Sequence, residues 1–183
     1  MIDKTSIALL LVGMVALQLV WNVTDFLSVK ERLKTLRDRK LYILQIGVLF
    51  PQFISGIYFP WPHTSHDSFF TIFGLIMFYA GVTLCIWAKL VMKTSWGMPA
   101  QHDINRQDKL ITAGPFSYTR NPIYVGLMLV AAGISVTLHS WFIFLIYFLY
   151  VYIKKAIATE EALLDKHFGE EYNRYKQKVP RFI

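Results

Sequence analysis

Apolar residues fall in long blocks along this chain, and the basic residues gather on alternate connections between the blocks. Ile7 to Leu27 is the first block, followed by the basic stretch Lys30 to Lys40, KERLKTLRDRK. Tyr42 to Phe59 is the second, and Pro51 and Gly56 within it predict a kink that neighbouring helices compensate. The loop Trp61 to Ser68 carries no Lys or Arg. Phe69 to Met92 is the third block, which at about 1.5 Å per residue covers a hydrocarbon layer of about 30 Å with tilt. A polar connector, Lys93 to Asn121, leads to two shorter blocks, Pro122 to Leu138 and Trp141 to Ile153, parted only by a turn at His139-Ser140. They read as an antiparallel hairpin whose arms of 17 and 13 residues reach part way across a bilayer or lean on the longer helices. After Lys154-Lys155 comes a polar helical tail, with a break expected at Gly169 and a stop at Pro180.

With 55% hydrophobic residues in 183, the chain holds more apolar matter than a soluble domain of this size can bury. The expected fold is therefore an all-α integral membrane protein of about five transmembrane helices, with a C-terminal helical hairpin and a cytoplasmic helical tail. Residues 1–183 form a single membrane domain, 1–93 giving three helices and 94–183 the connector, hairpin and tail. A net charge of +7 would suit nucleic acid only if the basic residues were interleaved on a solvated surface; here they lie between apolar blocks and act as topology signals. Lys30, Arg32, Lys34, Arg37, Arg39 and Lys40, the set from Lys89 to Arg120, and the set from Lys154 to Arg181 all fall on the cytoplasmic side if the N-terminus is outside, and only Lys4 falls elsewhere. The lone Cys85, inside an apolar block, excludes an internal disulfide and a cysteine metal site and reads as a small buried hydrophobe. No basic n-region or small-residue cleavage site precedes Trp21, so the first block is expected to be a retained helix.

Candidate chemistry concentrates in Gly114 to Gly126, GPFSYTRNPIYVG. Gly114-Pro115 marks a turn, Asn121 stands where an N-cap would, and Pro122 occupies the first helical position, where a missing N–H costs nothing. The N–H groups of that helix start, beside Arg120, favour an anion such as a carboxylate or phosphate. Reflecting the chain about the turn near His139 places Arg120 opposite Ala158 and Tyr118 opposite Glu160, so the arginine and the Glu160-Glu161 pair become neighbours. A cation that holds an anion, next to carboxylates that hold a cation or ribose hydroxyls, suits a ligand carrying both charges. The alternative is a set of interfacial charges paired with one another and with lipid.

At these residues the sequence resembles the isoprenylcysteine carboxyl methyltransferases and their bacterial and archaeal relatives. The matching segments are Asp108 to Phe116 (DKLITAGPF), Arg120 to Gly126 (RNPIYVG), Glu160-Glu161, Phe168 to Tyr175 (FGEEYNRY) and Val179-Pro180, which together cover roughly Gln101 to Ile183. The resemblance implies a cytoplasmic S-adenosylmethionine pocket lined by Gln101, Lys109, Leu110, Ile111, Phe116, Asn121, Pro122, Ile123, Tyr124 and Glu160. Arg120 and Glu161 support the pocket and are the pair expected to act in catalysis. It also implies a lipidic or prenylated acceptor that arrives through membrane lipid, with neither metal nor nucleic acid involved. Asp108, Phe116 and Asn121 depart from the family's His, Tyr and His. Asn121 can donate a hydrogen bond but carries no proton at neutral pH. The alternatives are methylation of a phospholipid amine or small thiol on the same scaffold, and a membrane scaffold without turnover.

The remaining features have plain readings. His63 and His66 have ligand-like spacing, but only Asp67 lies near, so no metal is expected there. Trp21, Trp61, Trp87, Trp96 and Trp141 fall near membrane borders as an aromatic belt. Gln18, Asn22 and Asp25 recur at helical spacing and face other helices, with Asp25 within reach of the acceptor. Lys154 and Lys155 are topology charges, Lys155 with an alternative role on a substrate carboxylate.

Overall fold

A backbone surrounded by lipid has no water to bond, so its N–H and C=O groups must pair within the segment, which favours helix. The computed structural model describes residues 4–23, 40–92 and 109–182. Six α-helices follow one another among them: α1 (Lys4–Val23), α2 (Lys40–Tyr58), α3 (Asp67–Met92), α4 (Pro122–Thr137), α5 (Leu145–Phe168) and α6 (Glu170–Lys178). One-turn 3-10 helices at Gly114–Ser117 and Trp141–Phe144 precede α4 and α5. Lys4–Trp21, Asp67–Met92 and Trp141–Phe168 are long and apolar enough to cross a membrane, whereas Gly47–Tyr58 and α4 are shorter apolar helices. Val12 and Val15 on α1, Ile72 and Ile76 on α3, and Tyr147 and Phe148 on α5 are exposed, as a lipid-facing surface requires. The chain is an all-α integral membrane protein.

The closest packing joins α3 to α4. A Cβ added to Gly81 would lie 2.6 Å from the Gly126 carbonyl oxygen, and one added to Gly126 would lie 2.5 Å from Cys85 Sγ. About two turns away on the same face, a Cβ on Gly74 would lie 2.5 Å from the Thr137 nitrogen. The glycines therefore let two antiparallel backbones touch, which in lipid supplies the dispersion contact that apolar area alone does not. Cys85, fully buried, donates its thiol hydrogen to the Ile123 carbonyl at 3.6 Å. Trp21, Cys85, Ala88, Met92, Phe116, Ile123 and Leu127 form one cluster there, joining α1 and α3 to the start of α4. Trp21, at the end of the first apolar span, packs inside the bundle, where the start of α4 covers it. Gln18 is exposed, and the side chains of Asn22, Asp25 and Trp96 lie outside the described residues.

The hairpin of α4 and α5 forms with two differences from the sequence expectation. The connection occupies residues 138–144 and centres on Trp141, since Ser140 caps a 3-10 turn with its hydroxyl before α5 begins. The second arm also does not stop at Ile153: α5 continues to Phe168, because no Gly or Pro intervenes before Gly169. Gly169 breaks it with φ of +50° and ψ of −120°, a conformation closed to side chains. Pro51 lies inside α2, which runs through it. Val48, Tyr124, Ala131, Leu149, Ile153, Ala156 and Ile157 bind α2, α4 and α5 into a second cluster.

The glycine contact yields a stability prediction. Gly126→Val should lower stability by about 1–3 kcal/mol through overpacking, read as a drop in melting temperature in detergent. Gly47→Ala, where an added Cβ meets nothing within 4 Å, should leave that temperature level or raise it.

Candidate active site

Gly114 adopts a φ of +60°, and a Cβ there would meet Val91 Cγ2 at 2.9 Å, so the turn ahead of α4 is pressed against α3. Pro122 begins α4, and Asn121 stands at its cap position without capping it through its side chain. The amide turns elsewhere: Asn121 Nδ2 donates to Glu161 Oε1 at 3.4 Å and to the Arg181 carbonyl at 3.3 Å. Its neighbours do the same. Arg120 N donates to the Pro180 carbonyl at 2.9 Å, and Thr119 Oγ1 to the Arg181 carbonyl at 2.9 Å. Three successive residues are thereby tied to the extended segment 179–182 that follows α6.

Arg120 is the centre of this tie. Its Nε donates to Glu161 Oε1 at 3.0 Å, and its Nη1 donates to the carbonyls of Val179 at 2.8 Å and Lys176 at 3.2 Å. The helix α6 ends there because Pro180 cannot extend it, and the carbonyls left open in its last turn are acceptors that Arg120 fills. Arg181 donates to the other oxygen of Glu161, so one carboxylate holds two guanidinium groups. Successive helical residues point roughly 100° apart. Glu161 therefore faces the arginines while Glu160 faces α4, where it accepts from the Tyr124 hydroxyl at 2.9 Å. The hairpin register differs from a reflection about His139: Tyr124, not Tyr118, meets Glu160, and Tyr118 is exposed. A turn centred on Trp141 accounts for the shift.

Between these elements lies a cleft of about 630 Å³, its open mouth included. Of the residues expected to line a cofactor pocket, Leu110, Ile111, Phe116, Asn121, Pro122, Ile123, Tyr124 and Glu160 line it, as does Arg120. Glu161 stands behind the wall, Lys109 is exposed outside the lining, and Gln101 and Asp108 lie outside the described residues. Met92, Leu164, Tyr172 and Tyr175 also line the cleft. Leu164 was legible as the residue one helical turn beyond Glu160, and Tyr172 and Tyr175 as an i, i+3 pair in FGEEYNRY; nothing in the sequence marked Met92. Tyr175 donates to the Phe116 carbonyl at 2.6 Å, and burial pushes its hydroxyl up to about 12.

On the loop before α3, His63 Nδ1 lies 2.6 Å from Asp67 Oδ2, while Thr64 N and Oγ1 donate to Asp67 Oδ1. Asp67 thus serves the start of α3. Among the described residues no group of three or more His, Cys, Asp or Glu side chains is gathered. Lys154 and Lys155 are exposed.

The profile of the family described as phospholipid methyltransferase matches residues 69–171, from α3 through α5 to the first residues of α6. The chain belongs to that family. Its similarity to named relatives agrees with the resemblance carried by the RNPIYVG and FGEEYNRY segments. It is 36% identical over 81 residues to the protein-S-isoprenylcysteine O-methyltransferase of Schizosaccharomyces pombe, which covers 43% of this chain and 34% of the relative. It is 29% identical over 122 residues to the human protein of that name, covering 66% of this chain and 43% of the relative. With the Arabidopsis thaliana protein-S-isoprenylcysteine O-methyltransferase B it shares 27% identity over 153 residues, 82% of this chain and 77% of the relative. The chain thus spans well under half the length of the first two.

The site predicts unequal costs for its two arginines. Arg120 and Glu161 keep only 11% and 10% of their side-chain surface exposed, so Arg120→Met should cost about 3–5 kcal/mol by removing the buried cation from one Glu161 oxygen and the donor from the Val179 and Lys176 carbonyls. Arg181 is 39% exposed, and Arg181→Met should cost about 1 kcal/mol or less. Thermal denaturation in detergent measures both. The tyrosines set an alkaline limit: the folded-state value of Tyr175 is raised, so its contribution is whole below about pH 10, the unfolded value, and is lost as pH climbs towards about 12. Tyr175→Phe should flatten stability across that window.

Proposed function

We propose that the protein is a membrane methyltransferase that takes S-adenosylmethionine into the cleft and methylates the carboxylate of a lipidic, isoprenylcysteine-like acceptor. One observation supports this reading above the others: Arg120, Asn121 and the first turn of α4 line the same cleft as the Glu160 carboxylate, among aliphatic and aromatic side chains. The Arg120 guanidinium and the N–H groups that open α4 suit the carboxylate of the cofactor's amino-acid end, and Glu160 suits its ammonium or a ribose hydroxyl. When bound, the cofactor supplies an electrophilic methyl group on a sulfonium.

The chain's own residues then have modest tasks. Glu160, oriented by Tyr124, holds a cationic or hydroxyl group, while Arg120 and the start of α4 hold an anionic one. Phe116, Ile123 and Leu164 keep water away, which strengthens those contacts and favours an oriented approach of the acceptor. A carboxylate acceptor, with a reference pKa near about 4, is ionised at neutral pH and needs no general base. Asn121, which carries no proton, is compatible with that chemistry. In this reading α2 and α4 cross with the three longer helices, the N-terminus lies outside, and the cleft faces the cytoplasm. The cofactor enters from the aqueous side and the acceptor from the bilayer.

The family's description gives a second reading, methylation of a phospholipid amine. Purified protein incubated with methyl-labelled S-adenosylmethionine and either a prenylcysteine or phosphatidylethanolamine distinguishes them: a base-labile ester supports carboxyl methylation, and a stable methylamine supports the second reading. The pH profile is a further test. A carboxylate acceptor predicts a nearly flat single-turnover rate between about pH 5.5 and 8.5, whereas an amine, which must lose a proton, predicts a steep rise.

A further inference from the structure

Tyr172 is 1% exposed and lines the cleft, yet its hydroxyl has no hydrogen-bond partner among the described residues. Such a group costs stability, so its presence asks for a reason. Its surroundings narrow that reason. Leu110, Leu164 and Phe168 pack around Tyr172 together with Tyr175 and Val179, so this part of the lining is hydrocarbon and aromatic ring. Tyr175, its ring 6.0 Å away, has already committed its own hydroxyl to Phe116. Lys176 Nζ sits 5.2 Å from the centre of the Tyr172 ring, a contact with the face and not the hydroxyl.

We infer that the Tyr172 hydroxyl reads the edge of the purine base of the nucleoside held in this cleft, an inference that rests on the S-adenosylmethionine reading above. The cofactor is charged at its amino-acid end, which belongs with Arg120, Asn121 and Glu160. Its base is flat and neutral and belongs against Leu110, Leu164 and the tyrosines. A neutral hydroxyl both donates and accepts, which matches the adjacent amine and ring nitrogen of adenine. Burial pushes the Tyr172 pKa up, so the proton stays in place across the working range.

The test uses the full chain in detergent and its Tyr172→Phe variant. Calorimetric titration is run with S-adenosylhomocysteine and with its purine counterpart, in which hydrogen replaces the 6-amine, and the ligand-free melting temperature of each protein is recorded. The wild type should prefer the adenine ligand by about tenfold. The variant should bind S-adenosylhomocysteine about tenfold more weakly, lose the preference, and melt at the same or a higher temperature when ligand-free. A variant that keeps both its affinity and its preference overturns the inference while leaving the cofactor reading intact, as does one that melts lower without losing affinity. A wild type that binds neither ligand overturns the cofactor reading and this inference together.

Discussion

The Glu161 carboxylate, shared by Arg120 and Arg181, is the contact on which the site depends. A carboxylate and a guanidinium removed from water are stable only when most of their bonding capacity is met. Here it is met by residues distant in sequence: Arg120 spends Nε on Glu161 and Nη1 on the carbonyls of Val179 and Lys176. One side chain therefore fixes the start of α4, the middle of α5 and the segment after α6 against one another. The cleft has walls from α4, α5 and α6, which that segment ties together, so its shape depends on the pairing.

The other constraint comes from inside the membrane. The glycine contacts between α3 and α4 set the height and direction of α4, and Gly114 presses the preceding turn onto α3. The polar cleft is thus built at the end of a rigid, closely packed helix pair. That arrangement lets polar groups stay precisely spaced beside a lipid-facing surface of exposed aromatic and aliphatic side chains.

Local chemistry was the legible part of the sequence. Gly114, Pro122 and Gly169 each stand where a positive φ or a missing N–H is useful, and the structure uses them so. The closeness of Arg120 to the Glu160-Glu161 pair followed from hairpin topology alone. What sequence could not supply was competition among partners. Asn121 is a good cap residue, but Glu161 and the Arg181 carbonyl take its amide. The two residues from His139 to Ser140 look like a tight turn, yet the 3-10 turn after them widens the connection and shifts the register. Trp21 has the composition of a border residue and is buried by tertiary packing. Tyr172 and Arg181 belonged to recognisable segments, but their geometry depends on where α6 docks, and no periodicity encodes that.

The central claim is that the Arg120–Glu161 contact organises the cleft and not merely the fold. Hydrogen–deuterium exchange of the wild type and of Glu161→Gln, each with and without S-adenosylhomocysteine, tests it most directly. The account predicts that the substitution releases the amides of residues 179–182 and of 119–121 together, leaves the α3–α4 interface protected, and removes the ligand's added protection at both segments. Release of one segment without the other, or ligand protection that survives in the variant, would contradict it.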